Sequence, residues 1–370
     1  MNVHVPVRLF TGRGCVRSGG AALRELGRKA LIVTGKTGAV RSGALADVTA
    51  ALEGFGVGYA IFDAVGENPT VECCRRGGEA AREAAAEFVI GIGGGSALDA
   101  AKVVALMAAD AAMDESKLYS GAWDIPPKPI VLVGTTAGTG SEVTNVSVLT
   151  DSTGRKHSVH ADGLYASLSF GDAKYTFSLP ERITKNTAVD AFSHCLESYL
   201  SKKADEVSRM DALEGMRILL PGLRRLAEGP FRPDAALRES LYTSSLLGGL
   251  AISITGTTFP HNVGYYLTER FAVPHGAACA AFLPALLRHC EEAAPALLRE
   301  LTGQLQTSAE ELTSLFEALT PLPDIAMTEA EIRAALPRWE KNGSVRNSPG
   351  TVTAEMIGTI LRERFLREGA

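Results

Sequence analysis

The chain carries no basic surplus. Its 37 lysines and arginines are outnumbered by 42 aspartates and glutamates, a net charge of −5, which excludes a general nucleic-acid partner. It has no C-x-x-C pair. The six cysteines are scattered, with only Cys73 and Cys74 adjacent, so they read as reduced thiols of the cytoplasm and not as a disulfide frame. Long apolar runs are missing too. The most apolar stretch, residues 88–113, is broken by Asp99, Lys102 and Asp110, which argues against a membrane span. The opening Met1-Asn2-Val3-His4 has neither a basic nor an apolar leader region, so no secretory signal is expected. No internal repeat or low-complexity linker is visible. Histidine is scarce, at seven residues, which makes the placement of three of them informative.

What is present reads as two parts. A length of 370 residues suggests about two domains, and 46% apolar residues supply sizeable cores. Residues 29–35 (KALIVTG) read as a strand, 53–62 as a turn and a strand, and 79–87 as an Ala/Glu/Arg helix. The strand 88–92, a glycine-rich loop with its helix, and the strand 129–134 follow. This alternation predicts an α/β fold with a parallel sheet. Residues 151–179 are less regular, with room for a hairpin. From Pro180 helical periodicity runs to the end. The expected division is 1–179, an α/β dinucleotide-binding domain, and 180–370, a helical domain for metal and substrate.

Two glycine-rich loops stand out. Gly93, Gly94, Gly95 and Ser96 follow an apolar strand and open a helix. Glycines there permit positive φ and close backbone approach, and helix N-terminal amides favour a phosphate. The dinucleotide fingerprint is not met, because Ser96 stands at its last glycine. A second loop, TTAGTGSEVT from Thr135 to Thr144, follows the next strand; together the two suggest an extended, pyrophosphate-bearing ligand. Gly35-Lys36-Thr37 mimics the end of a P-loop, but Ala30 stands where that motif needs its first glycine, so an ATPase is rejected. In the second half, Asp190 and His194 lie four apart in a helical segment and therefore on one helix face. His261 and His275 follow, the latter in a Pro-His-Gly turn opening an apolar helix. Three imidazoles and a carboxylate suit a divalent transition metal with room for a substrate oxygen.

GGGSALDAAK, TTAGTGSEVT, DAFSHCLES and the His261/His275 pair, in this order, resemble the iron-containing (group III) alcohol dehydrogenases, with a dehydroquinate synthase-like fold. The resemblance runs over essentially the whole chain. It implies an α/β N-terminal nucleotide-binding domain with a parallel sheet, an all-α C-terminal metal-binding domain and a cleft between them. It implies Asp190, His194, His261 and His275 as ligands of Fe²⁺, with Zn²⁺ or Mn²⁺ as substitutes. It also implies NAD(H) or NADP(H) held by Gly93 to Ser96, Asp99, Thr135, Thr136, Thr139, Ser141 and Lys156. A homodimer, with a small alcohol or aldehyde as its only other partner, is expected. The metal would act as a Lewis acid on the substrate oxygen during hydride transfer. By position, Asn145, Val146, Ile252 and the stretch 341–346 would line the substrate pocket, with Arg346 able to hold an anionic tail.

Two departures from the family matter. Tyr265 stands where many members carry a second histidine; it either joins proton transfer through its hydroxyl or only packs. Gly35 replaces the aspartate of many NAD-preferring members, and with Lys36 nearby this leans toward NADP(H). An ordinary aliphatic aldehyde and an anionic one, with a sulfonate, phosphonate or carboxylate, both stay open. A dehydroquinate synthase-like lyase is the other alternative, disfavoured because Arg270 is the only lysine or arginine in residues 240–280.

Overall fold

In the computed structural model, which describes residues 3–121 and 123–367, eight strands form in the first half. They are β1 (Arg8–Thr11), β2 (Lys29–Thr34), β3 (Gly58–Phe62), β4 (Phe88–Gly93), β5 (Ile130–Gly134), β6 (Val146–Thr150), β7 (Lys156–His160) and β8 (Leu168–Gly171). Six make one parallel sheet in the order β1-β8-β5-β4-β2-β3, and β6 and β7 pair antiparallel as a separate hairpin. Strands β4 and β5 are buried at every residue. Helices cover both faces of a parallel sheet, so its inner strands read as unbroken apolar runs.

Strand order reverses between β2 and β4, the place where open α/β sheets leave a crevice beyond the strand C-termini. Thr34 at the end of β2 ties the two strands there: its hydroxyl donates to the Ile92 carbonyl at 2.7 Å.

Two expectations need correction, and two strands were not foreseen. The helix expected at 79–87 spans Val71–Glu83 instead, capped by Thr70, whose hydroxyl accepts from the Cys73 N–H. Gly77 and Gly78 lie inside it because a Cβ at either would strike Val104 at 2.5 Å or Met107 at 2.8 Å on the helix Gly95–Ala109. Close helix packing thus overrides their low helix propensity. The hairpin begins at Val146, before residue 151. Strands β1 and β8, four residues each, escaped the periodicity because a run that short shows no pattern.

From Glu181 onward the regular elements of the described residues are helices, apart from the short bridge between Met327 and Leu366. The helices Glu181–Leu200, Glu206–Glu228 and Ala235–Thr255 pack on one another around a core that includes Phe192, Leu219, Phe259 and Phe282. The two halves meet at Gly140 and Gly249: a Cβ on Gly249 would lie 2.5 Å from the Gly140 carbonyl. No helix among the described residues is long and apolar enough to cross a membrane.

Candidate functional site

A cavity of about 520 Å³ runs from the ends of β2 and β4 to the helix Glu181–Leu200. At the sheet end, the two glycine-rich loops press together. A Cβ on Gly94 would meet Thr136 at 3.0 Å, and one on Gly95 would meet Thr139 at 2.6 Å. Gly93 has φ 155°, which side chains rarely adopt. Gly35, Gly93, Gly94, Gly95, Ser96, Asp99, Thr136, Thr139, Ser141 and Lys156 all line the cavity. Thr135 is buried behind the loop, its N–H donating to Gly93 at 2.8 Å, and Lys36 is exposed outside the lining.

Asp99 and Ser141 also hold the second loop in shape. The Ser141 hydroxyl donates to Asp99 Oδ1 at 2.7 Å, and the Val148 N–H donates to Oδ2 at 2.9 Å. Beneath them Lys102 is fully buried. Its Nζ donates to Ser141 Oγ at 2.7 Å, Thr144 Oγ1 at 3.1 Å and the Val146 carbonyl at 2.7 Å. Burial pulls this lysine down to about 8, against the pull of Asp99. Sequence reading used Lys102 only as an interruption of an apolar run, and missed its structural role.

At the helical end, Asp190 Oδ1 lies 3.5 Å from His261 Nε2 and 3.7 Å from His275 Nε2. His194, one turn beyond Asp190, stacks on His261 at 4.6 Å, and its Nδ1 lies 3.3 Å from the Gly138 carbonyl. A proton on Nδ1 donated to that carbonyl leaves Nε2 as a lone pair. His261 is held by Glu197, whose Oε1 lies 2.5 Å from Nδ1. Glu197, fully buried, also accepts from Ser193 Oγ at 2.7 Å and from the N–H and hydroxyl of Thr258, both at 2.8 Å. A carboxylate on one ring nitrogen turns the other toward a metal.

Asp190 Oδ1 and His261 Nε2 are both buried with no hydrogen-bond partner. Two such atoms on different helices, facing each other, are costly unless a cation joins them. The donors therefore fit a divalent ion. Burial pulls His275 down to about 3, in the direction of the neutral ring that a ligand needs. Gly276 lets this helix approach: a Cβ there would lie 2.1 Å from the Asn186 carbonyl.

Among the described residues, Asp190, His261, His275 and Cys279 place one donor atom each within 4.8 Å of one another; His194 is not in that group. Tyr265 lines the cavity, stacked on His275 at 5.6 Å. Lys156 donates to Asn68 Oδ1 at 2.9 Å and sits 5.4 Å over the Tyr265 ring. Val146 and Ile252 also line the cavity. Asn145 and Arg346 do not. Asn145 points its amide toward Asp162 at 3.4 Å, while Arg346 is exposed, its guanidinium donating to the Lys341 carbonyl at 2.6 Å. Its short helix, Gly343–Asn347, buries Val345 and Asn347 and turns Arg346 outward.

Sequence reading also missed Glu197, Asn68 and Cys279. Glu197 carried a signal, three residues after His194 on the same helix. Replacing it with glutamine is expected to weaken metal binding about 10–100-fold, measured by competition with a chelator. Unchanged affinity would show that His261 needs no carboxylate.

Comparison with known proteins agrees with this layout. A family model described as iron-containing alcohol dehydrogenase matches residues 6–173, and its C-terminal counterpart matches residues 184–362. A 1,3-propanediol dehydrogenase of Citrobacter freundii is 30% identical over 359 residues, 95% of this chain and 91% of that one. An iron-containing alcohol dehydrogenase of Thermotoga maritima has a structure with TM-score 0.89 and 32% identity, covering 98% of each chain. A sulfoacetaldehyde reductase of Bifidobacterium kashiwanohense, solved with NAD⁺, gives TM-score 0.85 and 26% identity, covering 98% of each. With both halves matched and the donors gathered at one end of the cleft, the chain belongs to the iron-containing alcohol dehydrogenase family, a family of oxidoreductases.

Proposed function

We propose that this chain interconverts small primary alcohols and aldehydes with NAD(P)(H), using a divalent cation held by Asp190, His194, His261 and His275. The observation that carries this reading is the pair of partnerless buried atoms, Asp190 Oδ1 and His261 Nε2, at one end of a cavity whose other end is two glycine-rich loops. When bound, the cation polarises the reacting oxygen and the nicotinamide takes or gives the hydride. The chain's own residues supply the rest. Glu197 and the Gly138 carbonyl orient His261 and His194. The bare backbone of Gly93 to Gly95 and the amides opening the helix Gly95–Ala109 suit a pyrophosphate. Val146 and Ile252 give the reacting end an apolar wall that excludes water.

Donor types allow Fe²⁺, Zn²⁺ or Mn²⁺, and Fe²⁺ is the family's metal. The test is absorbance of reduced nicotinamide with metal-loaded protein, both cofactors, and propanal, butanal and their alcohols. Absence of turnover with every pairing would overturn the reading.

Cofactor choice rests on Gly35. It lies on the cavity wall where β2 ends and carries no carboxylate of its own to oppose a 2′-phosphate. A Cβ there meets only the Val65 carbonyl, at 3.0 Å, so a small shift admits one. Gly35→Asp is expected to lower the NADP/NAD ratio of kcat/KM by about tenfold or more, roughly 1.4 kcal/mol per factor of ten. An unchanged ratio would place Gly35 away from the ribose.

A further inference from the structure

We propose that Glu269 is a positioning residue that acts through Lys156: it fixes the Lys156 backbone to the helix that carries His261, and so sets where the Lys156 ammonium meets the nicotinamide cofactor. The inference rests on the cofactor reading proposed above and deepens it.

Strand β7 needs such a hold. It pairs with β6 and with no other strand of the described residues, and a two-stranded hairpin alone is marginally stable. β6 is tied to the sheet half: the Val148 N–H donates to Asp99 Oδ2, and the Val146 carbonyl accepts from Lys102 Nζ. β7 turns its outer edge to the helical half, where the Lys156 N–H donates to Glu269 Oε1 at 2.8 Å. The other oxygen, Oε2, accepts from the Arg338 guanidinium, which itself lies 5.3 Å over the Tyr266 ring. The Glu269 side chain is only 9% exposed, so both of its oxygens are held in place and it is not a free surface charge.

Glu269 lies on the helix Phe259–Phe271, eight residues after His261 and four after Tyr265, hence near the same helix face. One rigid helix therefore sets the spacing between a metal donor and Lys156. Side chains alternate along β7, so Lys156, Ser158 and His160 line the cavity while Val159 enters the core of the sheet half. Lys156 Nζ donates to Asn68 Oδ1, on the loop after β3, and lies over Tyr265, which stacks on His275. Its ammonium thus stands between the sheet end and the metal end of the cavity. Arg338, Glu269, Lys156 and Asn68 form one continuous bridge from the helical half to the sheet half. Without Glu269 the ammonium keeps its charge and loses its place.

A double-mutant cycle on cofactor affinity tests this without turnover. Kd for NADH and for NADPH is measured from the fluorescence of the reduced nicotinamide, with the native chain, Glu269→Ala, Lys156→Ala and the double variant. Lys156→Ala should raise Kd about tenfold or more, the loss of one charge-assisted bond, and Glu269→Ala roughly three- to tenfold. In the Lys156→Ala background, Glu269→Ala should change Kd less than about twofold, because the group it positions is gone. Zn²⁺ affinity should stay native in Glu269→Ala. Additive losses in the cycle would overturn the proposal and leave the cofactor reading intact. A fall in Zn²⁺ affinity would assign the effect to the whole helix and overturn it too. Failure of the native chain to bind either cofactor would overturn both readings. If Glu269→Ala does not fold, amide hydrogen exchange of the native chain decides: a protected Lys156 N–H supports the bond to Glu269, and exchange at the rate of an open turn overturns it.

Discussion

His261→Ala is expected to abolish both metal binding and alcohol–aldehyde turnover. Its Nε2 faces Asp190, and its Nδ1 is tied to a carboxylate buried among Ser193 and Thr258. Alanine therefore deletes one donor and strips the support from another part of the site. A Lewis acid is worth several kcal/mol of transition-state stabilisation, so kcat/KM should fall on the order of 10³-fold or more. Glu197 keeps its bonds from Ser193 and Thr258, which limits the damage to the fold. Metal content by elemental analysis, with the melting temperature as a control, separates the cases. Full metal occupancy in a folded His261→Ala protein would remove His261 from the site.

Lys102→Met should act on stability instead. Methionine fills much of the volume but makes none of the three hydrogen bonds that Nζ makes. Thr144 and the Val146 carbonyl then lose their donor, and Asp99, 3.9 Å from Nζ, loses its cation. Removing one partner from a buried charged pair costs about 3–5 kcal/mol. Denaturant unfolding of the variant should show a lower midpoint at unchanged slope, a loss of unfolding free energy of that size. The cofactor loop from Thr136 to Ser141 should loosen with it, raising KM for the nicotinamide cofactor. A native-like midpoint would show that the loop holds its shape without the lysine.

Much of the architecture was legible in the residues. The strands β2, β4 and β5 announce themselves as apolar runs ending in glycine, and the helix carrying Asp190 and His194 shows its period. The helix Val71–Glu83 was misplaced because its glycine pair reads as a breaker until the neighbouring helix is seen against it. Arg346 is a related case. Nearness in sequence to Asn342 and Ser344 says nothing about which way a five-residue helix turns its arginine.

What the sequence alone determined is the chemistry available and its local spacing: a carboxylate and an imidazole one turn apart, a Pro-His-Gly turn, two glycine loops after strands, and a glycine where an acid commonly stands. These depend on helical and strand periodicity, which is set within a few residues. Tertiary structure alone decided which atoms meet. Glu197 reaches His261 across 64 positions, Lys156 reaches Asn68 across 88, and Lys102 reaches Thr144 across 42. Such pairings follow from how helices cross and loops dock, through contacts such as Gly276 on Asn186 and Gly249 on Gly140. No period in the chain encodes those contacts, because close packing is satisfied by shape and not by spacing.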